Sequence, residues 1–163
     1  MQKKTNKLYF AYGSNMNQER LEGRVGPVIK IGKHVLRRWK LAFNCGYANN
    51  RFANIIMGAE GAVEYVEGVL YELTPRQMRM LDNFEGYPLY YQKMVFPLNE
   101  SAIGNSKEVM YAYVCFNPNY VPNPKVKPTE EYINHILKGV ADNELTTTLW
   151  QLRRMRYKGE IQF

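Results

Sequence analysis

Glu85 lies where a carboxylate could exchange protons with a ligand. Residues 74–77 form a capping-box helix start, and Gly86 with Pro88 ends the same helix, so the predicted helix closes on Glu85. A carboxylate at a helix C-terminus faces the negative end of the macrodipole, and aromatic neighbours keep water away from it, so both effects raise its pKa. A glutamate with a raised pKa can act as general acid and base near neutral pH. On position alone, however, a solvated helix-end residue is the more common case.

The segment Tyr12-Gly13-Ser14-Asn15 offers a complementary anion site. It follows a strand-like segment, residues 8–12, and its polar side chains suit the start of a short helix over residues 16–22 that is closed by Gly23. Backbone N–H groups at a helix N-terminus bind anions, and glycine lets a ligand approach the chain closely, so a carboxylate would fit here. The alternative is a plain strand-to-helix turn capped by Ser14 or Asn15, which is common.

Other standard catalytic and metal sites have no signature in this chain. It lacks a GxxxxGK[ST] phosphate loop, a GxSxG elbow and an HExxH pair. His34 and His135 have no carboxylate or cysteine cluster at ligand spacing, so no metal site is expected. Cys45 and Cys115 lack the close spacing of a metal clip or redox pair, and we interpret both as small core residues in a reducing compartment.

The elements that position these residues are predicted to be mostly strands, because apolar and polar residues alternate over much of the chain. About six strands are predicted, at residues 8–12, 39–43, 53–57, 63–73, 90–98 and 109–116. Two further helices are predicted at residues 129–138 and 147–157, and the proline-rich residues 117–128 are short enough to be a loop. Strands with interspersed helices favour a mixed sheet or small barrel of the α+β class over alternating βαβ units.

The composition is that of one globular domain. With 163 residues, 45% of them hydrophobic and 23% charged, the chain is expected to form a single domain over residues 1–163. No secretion signal and no membrane-spanning apolar run is found, so a cytoplasmic location is expected. The net charge of +7 raises the question of whether the chain binds nucleic acid. The densest basic segment, residues 153–158, is however interpreted as cations at a helix end. Binding to nucleic acid is therefore not expected.

Two motifs, in this order, resemble those of the γ-glutamyl cyclotransferase and AIG2-like superfamily. They are Leu8-Tyr9-Phe10-Ala11-Tyr12-Gly13-Ser14-Asn15-Met16, a strand that ends in a YGSN-type loop, and Leu81-Asp82-Asn83-Phe84-Glu85-Gly86, a Leu-Asp-x-x-Glu segment. Gly68-Val69-Leu70-Tyr71-Glu72-Leu73 is similar to the strand that leads into the second motif, and Tyr90-Tyr91-Gln92-Lys93-Met94-Val95 is similar to the Tyr-x-Arg/Lys strand after it. The similarity continues through Pro128-Thr129-Glu130-Glu131-Tyr132 to the final helix, so it covers nearly the whole chain.

The resemblance implies a fold, a reaction and a set of site residues. The implied fold is a small closed, mostly antiparallel mixed β-barrel of about six strands, flanked by three to four helices. In the implied reaction the free α-amino group of a γ-glutamyl substrate attacks its own γ-carbonyl, which releases 5-oxoproline and an amine or amino acid. Glu85 would transfer the proton, and Tyr12-Gly13-Ser14-Asn15 with Tyr91 would hold the substrate. No metal, nucleotide or other cofactor is required.

The resemblance leaves the substrate open. The superfamily handles glutathione-derived γ-glutamyl dipeptides, γ-glutamyl-amines from crosslinks and γ-glutamyl-protected antibiotic intermediates, and the expected partner is a small molecule of this kind. A homodimer is also allowed. Where family members often carry a Leu-Pro pair, this chain has Leu145-Thr146-Thr147, a segment expected on the leaving-group side of the pocket. The alternative hypothesis is a non-catalytic small-molecule binding or interaction module on the same fold.

Overall fold

The computed structural model of the protein describes residues 5–46, 49–99, 108–116, 123 and 125–163. These residues form seven strands: β1 (Lys7–Ala11), β2 (Ile29–Arg37), β3 (Trp39–Cys45), β4 (Phe52–Met57), β5 (Tyr65–Leu73), β6 (Gln92–Pro97) and β7 (Val109–Val114). They also form a 3-10 turn (Ser14–Met16) and four helices: α1 (Gln18–Val25), α2 (Pro75–Glu85), α3 (Glu130–Asp142) and α4 (Thr146–Tyr157). In this part of the chain no helix is long and apolar enough to cross a bilayer.

A five-stranded sheet in the order β2-β5-β1-β7-β6 forms the centre of the molecule. β1 pairs antiparallel with β5 and parallel with β7, and the outer strands pair antiparallel with their neighbours. At the end of β1 the consecutive residues Phe10, Ala11 and Tyr12 are all buried, which is typical of a strand covered on both faces. The central strand therefore leads directly from the core into residues 13–15.

The second sheet consists of β3 and β4 and does not pair with the first in the described residues. The side chain of Asn54 on β4 bonds to the backbone of Cys115, as the backbone of a neighbouring strand would. It donates to the carbonyl oxygen of Cys115 (3.1 Å) and accepts from the N–H of the same residue (2.9 Å). The α+β class is confirmed. The described strands number seven rather than about six, however, and backbone pairing does not close them into the expected barrel.

The sequence pattern fails to predict β2, which lies at the edge of the larger sheet. Its first apolar side chains, Ile29 and Ile31, are 57% and 54% exposed. The register of β2 against β5 also shifts between Lys30 and Gly32. An edge strand with a bulge and an exposed apolar face lacks the buried alternation by which strands are recognised in sequence.

Cys45 and Cys115 form a disulfide between residues that are 70 positions apart. The expectation of two separate core thiols is wrong, because β3 and the end of β7 bring their Cα atoms to 5.8 Å. The bond ties the two sheets together covalently. The cytoplasmic location stays a prediction, although disulfides are rare in reducing compartments.

The later helices form largely where local signals predict them. At the start of α2 the Thr74 hydroxyl accepts the N–H of Gln77 (3.2 Å), which completes the expected capping box. Gly86 follows Glu85 with φ 65°, the left-handed conformation that often ends a helix. α3 extends beyond the predicted residues 129–138, and α4 nearly matches its prediction. The last turn of α4 carries Arg154 and Arg156, as expected for cations at a helix end.

The first predicted helix is wrong in its position. After the 3-10 turn, α1 begins only at Gln18, where the Asn17 side chain accepts the N–H of Arg20 (3.4 Å), and it ends at Gly26 rather than Gly23. Asn17 is thus the helix cap, a role the sequence pattern assigned to Ser14 or Asn15. As a consequence Arg24 is helical and lies about one turn beyond Arg20, on the same side of α1.

The loop after β1 is held in place from two sides. The Tyr71 hydroxyl on β5 donates to the carbonyl oxygen of Met16 (3.1 Å). From the other side α3 approaches at Gly139, where an added Cβ would lie 2.5 Å from the carbonyl carbon of Met16. Glycine is therefore needed at position 139 for this helix to pack against the loop backbone.

The segment Leu145-Thr146-Thr147 lies against β5 instead of the pocket. Leu145 is buried, and the N–H of Thr148 in the first turn of α4 donates to the buried carboxylate of Glu67 (3.0 Å), which also pairs with Lys33 (3.0 Å). The expectation that this segment shapes the leaving-group side is wrong, since the described cavity wall contains none of its residues. Its role is to anchor α4 to the sheet.

Candidate active site

An open cavity of about 350 Å³ lies where the end of β1, α1, the end of α2 and the second sheet meet. The site residues predicted from the sequence all contribute to its wall: Tyr12, Gly13, Ser14, Asn15, Glu85 and Tyr91. The volume suits a small molecule. Two segments that are 70 positions apart, around Asn15 and Glu85, therefore share one cavity, as the sequence analysis requires.

Glu85 points toward the loop that follows β1. Its side chain is 16% exposed, and its Oε1 accepts a hydrogen bond from Asn15 Nδ2 (3.1 Å). A guanidinium nitrogen of Arg24 lies 3.8 Å from the same oxygen. The carboxylate is thus held at the cavity wall, close to the residues expected to bind the substrate.

The environment of Glu85 raises its pKa. The largest cause is burial, which disfavours the charged form, while Arg24, the Asn15 hydrogen bond and Arg20 each lower the pKa in part. The direction expected from the sequence is therefore found, and loss of water is its main cause. A carboxyl group with a raised pKa changes its protonation state closer to neutral pH than an ordinary glutamate does.

Asn15 orients the carboxylate. Its Nδ2 donates both to Glu85 and to the Tyr9 hydroxyl (3.0 Å), and its Oδ1 accepts from Arg24 (3.1 Å). Both amide hydrogens have partners within the protein, so the side chain positions Glu85 and leaves ligand contacts to other groups. What Asn15 can offer a ligand is its backbone.

The hydroxyl groups of Tyr12 and Tyr91 are used inside the fold. Tyr12 donates to the carbonyl oxygen of Tyr113, and Tyr91 donates to that of Ala53 (2.7 Å). Burial raises the pKa of both phenols well above the ordinary value. These two predicted site residues therefore present neutral aromatic rings to the cavity.

Arg20 and Arg24 of α1 line the cavity and are not found by the sequence reasoning. The Arg20 Nε donates to the Ser14 hydroxyl oxygen (3.1 Å), and the Arg24 guanidinium lies over the Phe84 ring, 5.3 Å from its centroid. Residues that are four apart on a helix lie on the same side of it, so this spacing could have indicated the pair. The predicted helix is closed by Gly23, however, and so does not include Arg24.

The two arginines replace the expected source of positive charge. The 3-10 turn Ser14–Met16 contains only three residues, too few for the summed peptide dipoles of an α-helix. Two guanidinium groups beside the same loop supply full charges instead, and guanidinium is well matched to carboxylate oxygens. The anion site at this loop stays a prediction, and these two side chains would supply its positive charge in place of a helix N-terminus.

Glu85 is the one carboxylate among the described residues that line the cavity. Apart from Arg20 and Arg24, which are cations, the ionisable wall groups near it are tyrosines; burial raises the pKa of Tyr132 to about 12 and raises the pKa of Tyr9 and Tyr113 further. These phenols stay protonated at neutral pH and therefore cannot serve as proton acceptors. A proton acceptor in this part of the cavity must therefore be Glu85.

A family model described as "Gamma-glutamyl cyclotransferase, AIG2-like" matches residues 9–134, which include both motifs except Leu8. The chain belongs to this γ-glutamyl cyclotransferase, AIG2-like family. No curated protein sequence matches it significantly. Helix α4 lies beyond the matched residues.

Solved structures share the fold of this family member. A structure described as "Gamma-glutamyl cyclotransferase" aligns with a TM-score of 0.67 at 24% identity, over 90% of this chain and 85% of the other. An uncharacterised human protein aligns with a TM-score of 0.69 at 23% identity, with the same coverage. A mouse AIG2-like protein aligns with a TM-score of 0.52 at 18% identity, over 77% of this chain and 90% of the other. At these identities the likeness establishes the fold.

The other acidic residue of the family's Leu-Asp-x-x-Glu segment, Asp82, has a structural role in this member. It accepts hydrogen bonds from Lys93 on β6 (2.8 and 2.9 Å) and from the Tyr113 hydroxyl on β7. These contacts fix the last turn of α2 against two strands. Glu85, three residues later in the same turn, is thereby held at the cavity wall.

Proposed function

We propose that this protein is a γ-glutamyl cyclotransferase that needs no cofactor and in which Glu85 transfers protons while a γ-glutamyl substrate cyclises to 5-oxoproline. The observation that carries the proposal is the position of Glu85, a largely buried carboxyl group with a raised pKa, in one cavity with the residue 13–15 loop and two arginines. Membership of the family supports the reaction class.

The charges of the cavity match those of a γ-glutamyl group. The substrate carries an α-carboxylate, for which Arg20, Arg24 and the loop backbone are suitable partners. It also carries an α-ammonium, for which Glu85 is the suitable partner. Holding the amine near its own γ-carbonyl makes the attack intramolecular, and orientation of this kind can contribute roughly 7–11 kcal/mol.

The proton balance needs one group that both accepts and donates. The α-nitrogen forms a bond to the γ-carbon, the bond from that carbon to the leaving nitrogen breaks, and water does not enter. The α-ammonium loses two protons and the leaving nitrogen gains two. Glu85 takes each proton from the first nitrogen and delivers it to the second, which suits a carboxyl group with a raised pKa.

The first experiment supplies γ-glutamyl-alanine and measures the products by mass spectrometry in water labelled with oxygen-18. Equal amounts of unlabelled 5-oxoproline and alanine are expected, because the attacking group is the substrate's own amine. The control is the α-linked isomer, whose amide carbonyl cannot give a five-membered ring and which should release no alanine. Labelled glutamate would instead indicate hydrolysis, and no reaction would favour a binding module.

Arg24→Met is expected to move the acidic limb of the pH profile of kcat/KM to higher pH. Arg24 lowers the pKa of Glu85 against the effect of burial, so its removal lets that pKa rise. Glu85 must be ionised to accept a proton, and activity that increases as pH passes its pKa will therefore increase only at higher pH. Arg79→Met, at an exposed position of α2, should leave the limb in place. A limb that stays or moves down in Arg24→Met would contradict the assignment of Glu85 as base.

A further inference from the structure

We propose that Phe84 and Tyr90 bind the leaving part of the substrate, and that this part is an apolar, preferably aromatic, amine or amino acid rather than a cationic one. The inference rests on the proposed cyclotransferase function and names the class of γ-glutamyl compound.

The segment around the end of α2 exposes four large apolar side chains. Phe84 is 57% exposed, Tyr87 40%, Leu89 84% and Tyr90 49%. Of these, Phe84 and Tyr90 line the cavity, whereas Tyr87 and Leu89 lie outside its wall. Large apolar side chains that are exposed at the wall of a cavity are typical of a ligand-binding region.

Both rings are held in place by neighbouring groups. The Phe84 ring packs under the Arg24 guanidinium at 5.3 Å. Tyr90 donates its backbone N–H to the carbonyl oxygen of Gly86 (2.9 Å), and its ring lies so close to Gly86 that an added Cβ would be 2.3 Å from Tyr90 Cδ2. The rings therefore form a surface that exists before a ligand binds.

The reaction places the leaving group next to this surface. Glu85 must reach the leaving nitrogen to protonate it, and Glu85 is flanked in the chain by Phe84 and Gly86, which carries the Tyr90 ring against it. The glutamyl end is directed to the arginines and the residue 13–15 loop. The atoms beyond the leaving nitrogen must therefore pass the residues that flank Glu85.

The charges at the mouth disfavour a cation in this position. Among the described wall residues the charged groups are Arg20, Arg24 and Glu85, and Arg24 lies directly on the Phe84 ring. An ammonium in the leaving group would approach a guanidinium in a partly desolvated site, where like charges repel more strongly than in water. An aromatic or aliphatic group meets no such penalty.

The test compares kcat/KM for 5-oxoproline release from four γ-glutamyl dipeptides. The γ-glutamyl derivatives of phenylalanine and glycine differ in apolar surface, and those of norleucine and lysine, linked through their α-amino groups, differ by a terminal ammonium. We expect the phenylalanine substrate to exceed the glycine substrate, and norleucine to exceed lysine, each by roughly tenfold or more. Equal values within both pairs would overturn the inference while the cyclotransferase function stands. No 5-oxoproline from any of the four would overturn the function itself, and the inference with it.

Phe84→Ala provides the matched variant. It is expected to lower kcat/KM for γ-glutamyl-phenylalanine roughly tenfold more than for γ-glutamyl-glycine, because only the phenylalanine substrate has a side chain that contacts the Phe84 ring. The glycine substrate serves as an internal measure of folding, because a damaged enzyme would lose both activities together. The control variant is Leu89→Ala, which removes an exposed apolar side chain of the same segment outside the cavity wall. An unchanged ratio of the two substrates in Phe84→Ala would count against the proposed surface.

Discussion

Replacing Glu85 by glutamine is expected to lower kcat for 5-oxoproline release by on the order of 10²–10⁴-fold, the usual contribution of positioned proton transfer. The amide keeps the size of the side chain and an oxygen that can still accept the hydrogen bond from Asn15. It cannot accept a proton from the α-ammonium. KM should change less than kcat, because the loop and the arginines still hold the glutamyl part. Steady-state rates measured by chromatography of 5-oxoproline test this.

Two further variants separate catalysis from folding. Glu19→Gln makes the same chemical change on α1 at a side chain that is 80% exposed, and full activity is expected. Glu85→Asp keeps the carboxylate but withdraws it by one methylene, so an intermediate rate is expected. If Glu85→Gln released 5-oxoproline as fast as the unaltered protein, Glu85 would have no part in the chemistry.

Local signals in the sequence explain why Glu85 could be placed correctly. The capping box at Thr74 and Gln77 and the left-handed Gly86 act within a few residues of the chain, and together they set both ends of α2. Helices with such capping signals are predictable, because the hydrogen bonds that determine their ends join residues that are close together in the chain. The family motifs then supplied the pairing of this helix end with the loop after β1.

The parts of the site that depend on packing could not be predicted in the same way. α1 begins after a 3-10 turn because Met16 is held by Tyr71 and approached by Gly139, both far away in the chain. An error of a few residues in that helix was enough to hide Arg20 and Arg24. Non-local contacts of this kind override local helix signals.

The arrangement of the two sheets could not be predicted from local sequence signals either. β4 is connected to the end of β7 by the side chain of Asn54, which bonds both backbone groups of Cys115. The alternation of apolar and polar residues does not reveal that a side chain, and not a strand backbone, will form these hydrogen bonds. The disulfide partner of Cys115 is likewise set by the fold, since a separation of 70 residues carries no geometric information.

Reduction of the Cys45–Cys115 disulfide is expected to lower the free energy of unfolding by about 4 kcal/mol. The bond spans 70 residues, so it removes many conformations from the unfolded chain. In the folded state the two hydrogen bonds between Asn54 and Cys115 still connect the sheets after reduction. Urea unfolding with and without a reductant measures the difference as a shift of the midpoint.

The double variant Cys45→Ser/Cys115→Ser separates loss of the bond from side effects of the reductant. It should unfold at the midpoint of the reduced protein and should not respond to the reductant. Both cysteines line the cavity, but the contacts that hold Glu85 come from Asn15 and Arg24, on elements that the bond does not join. Reduction is therefore expected to lower stability more than kcat. An unchanged midpoint would mean that packing and the Asn54 hydrogen bonds alone keep the second sheet against the cavity.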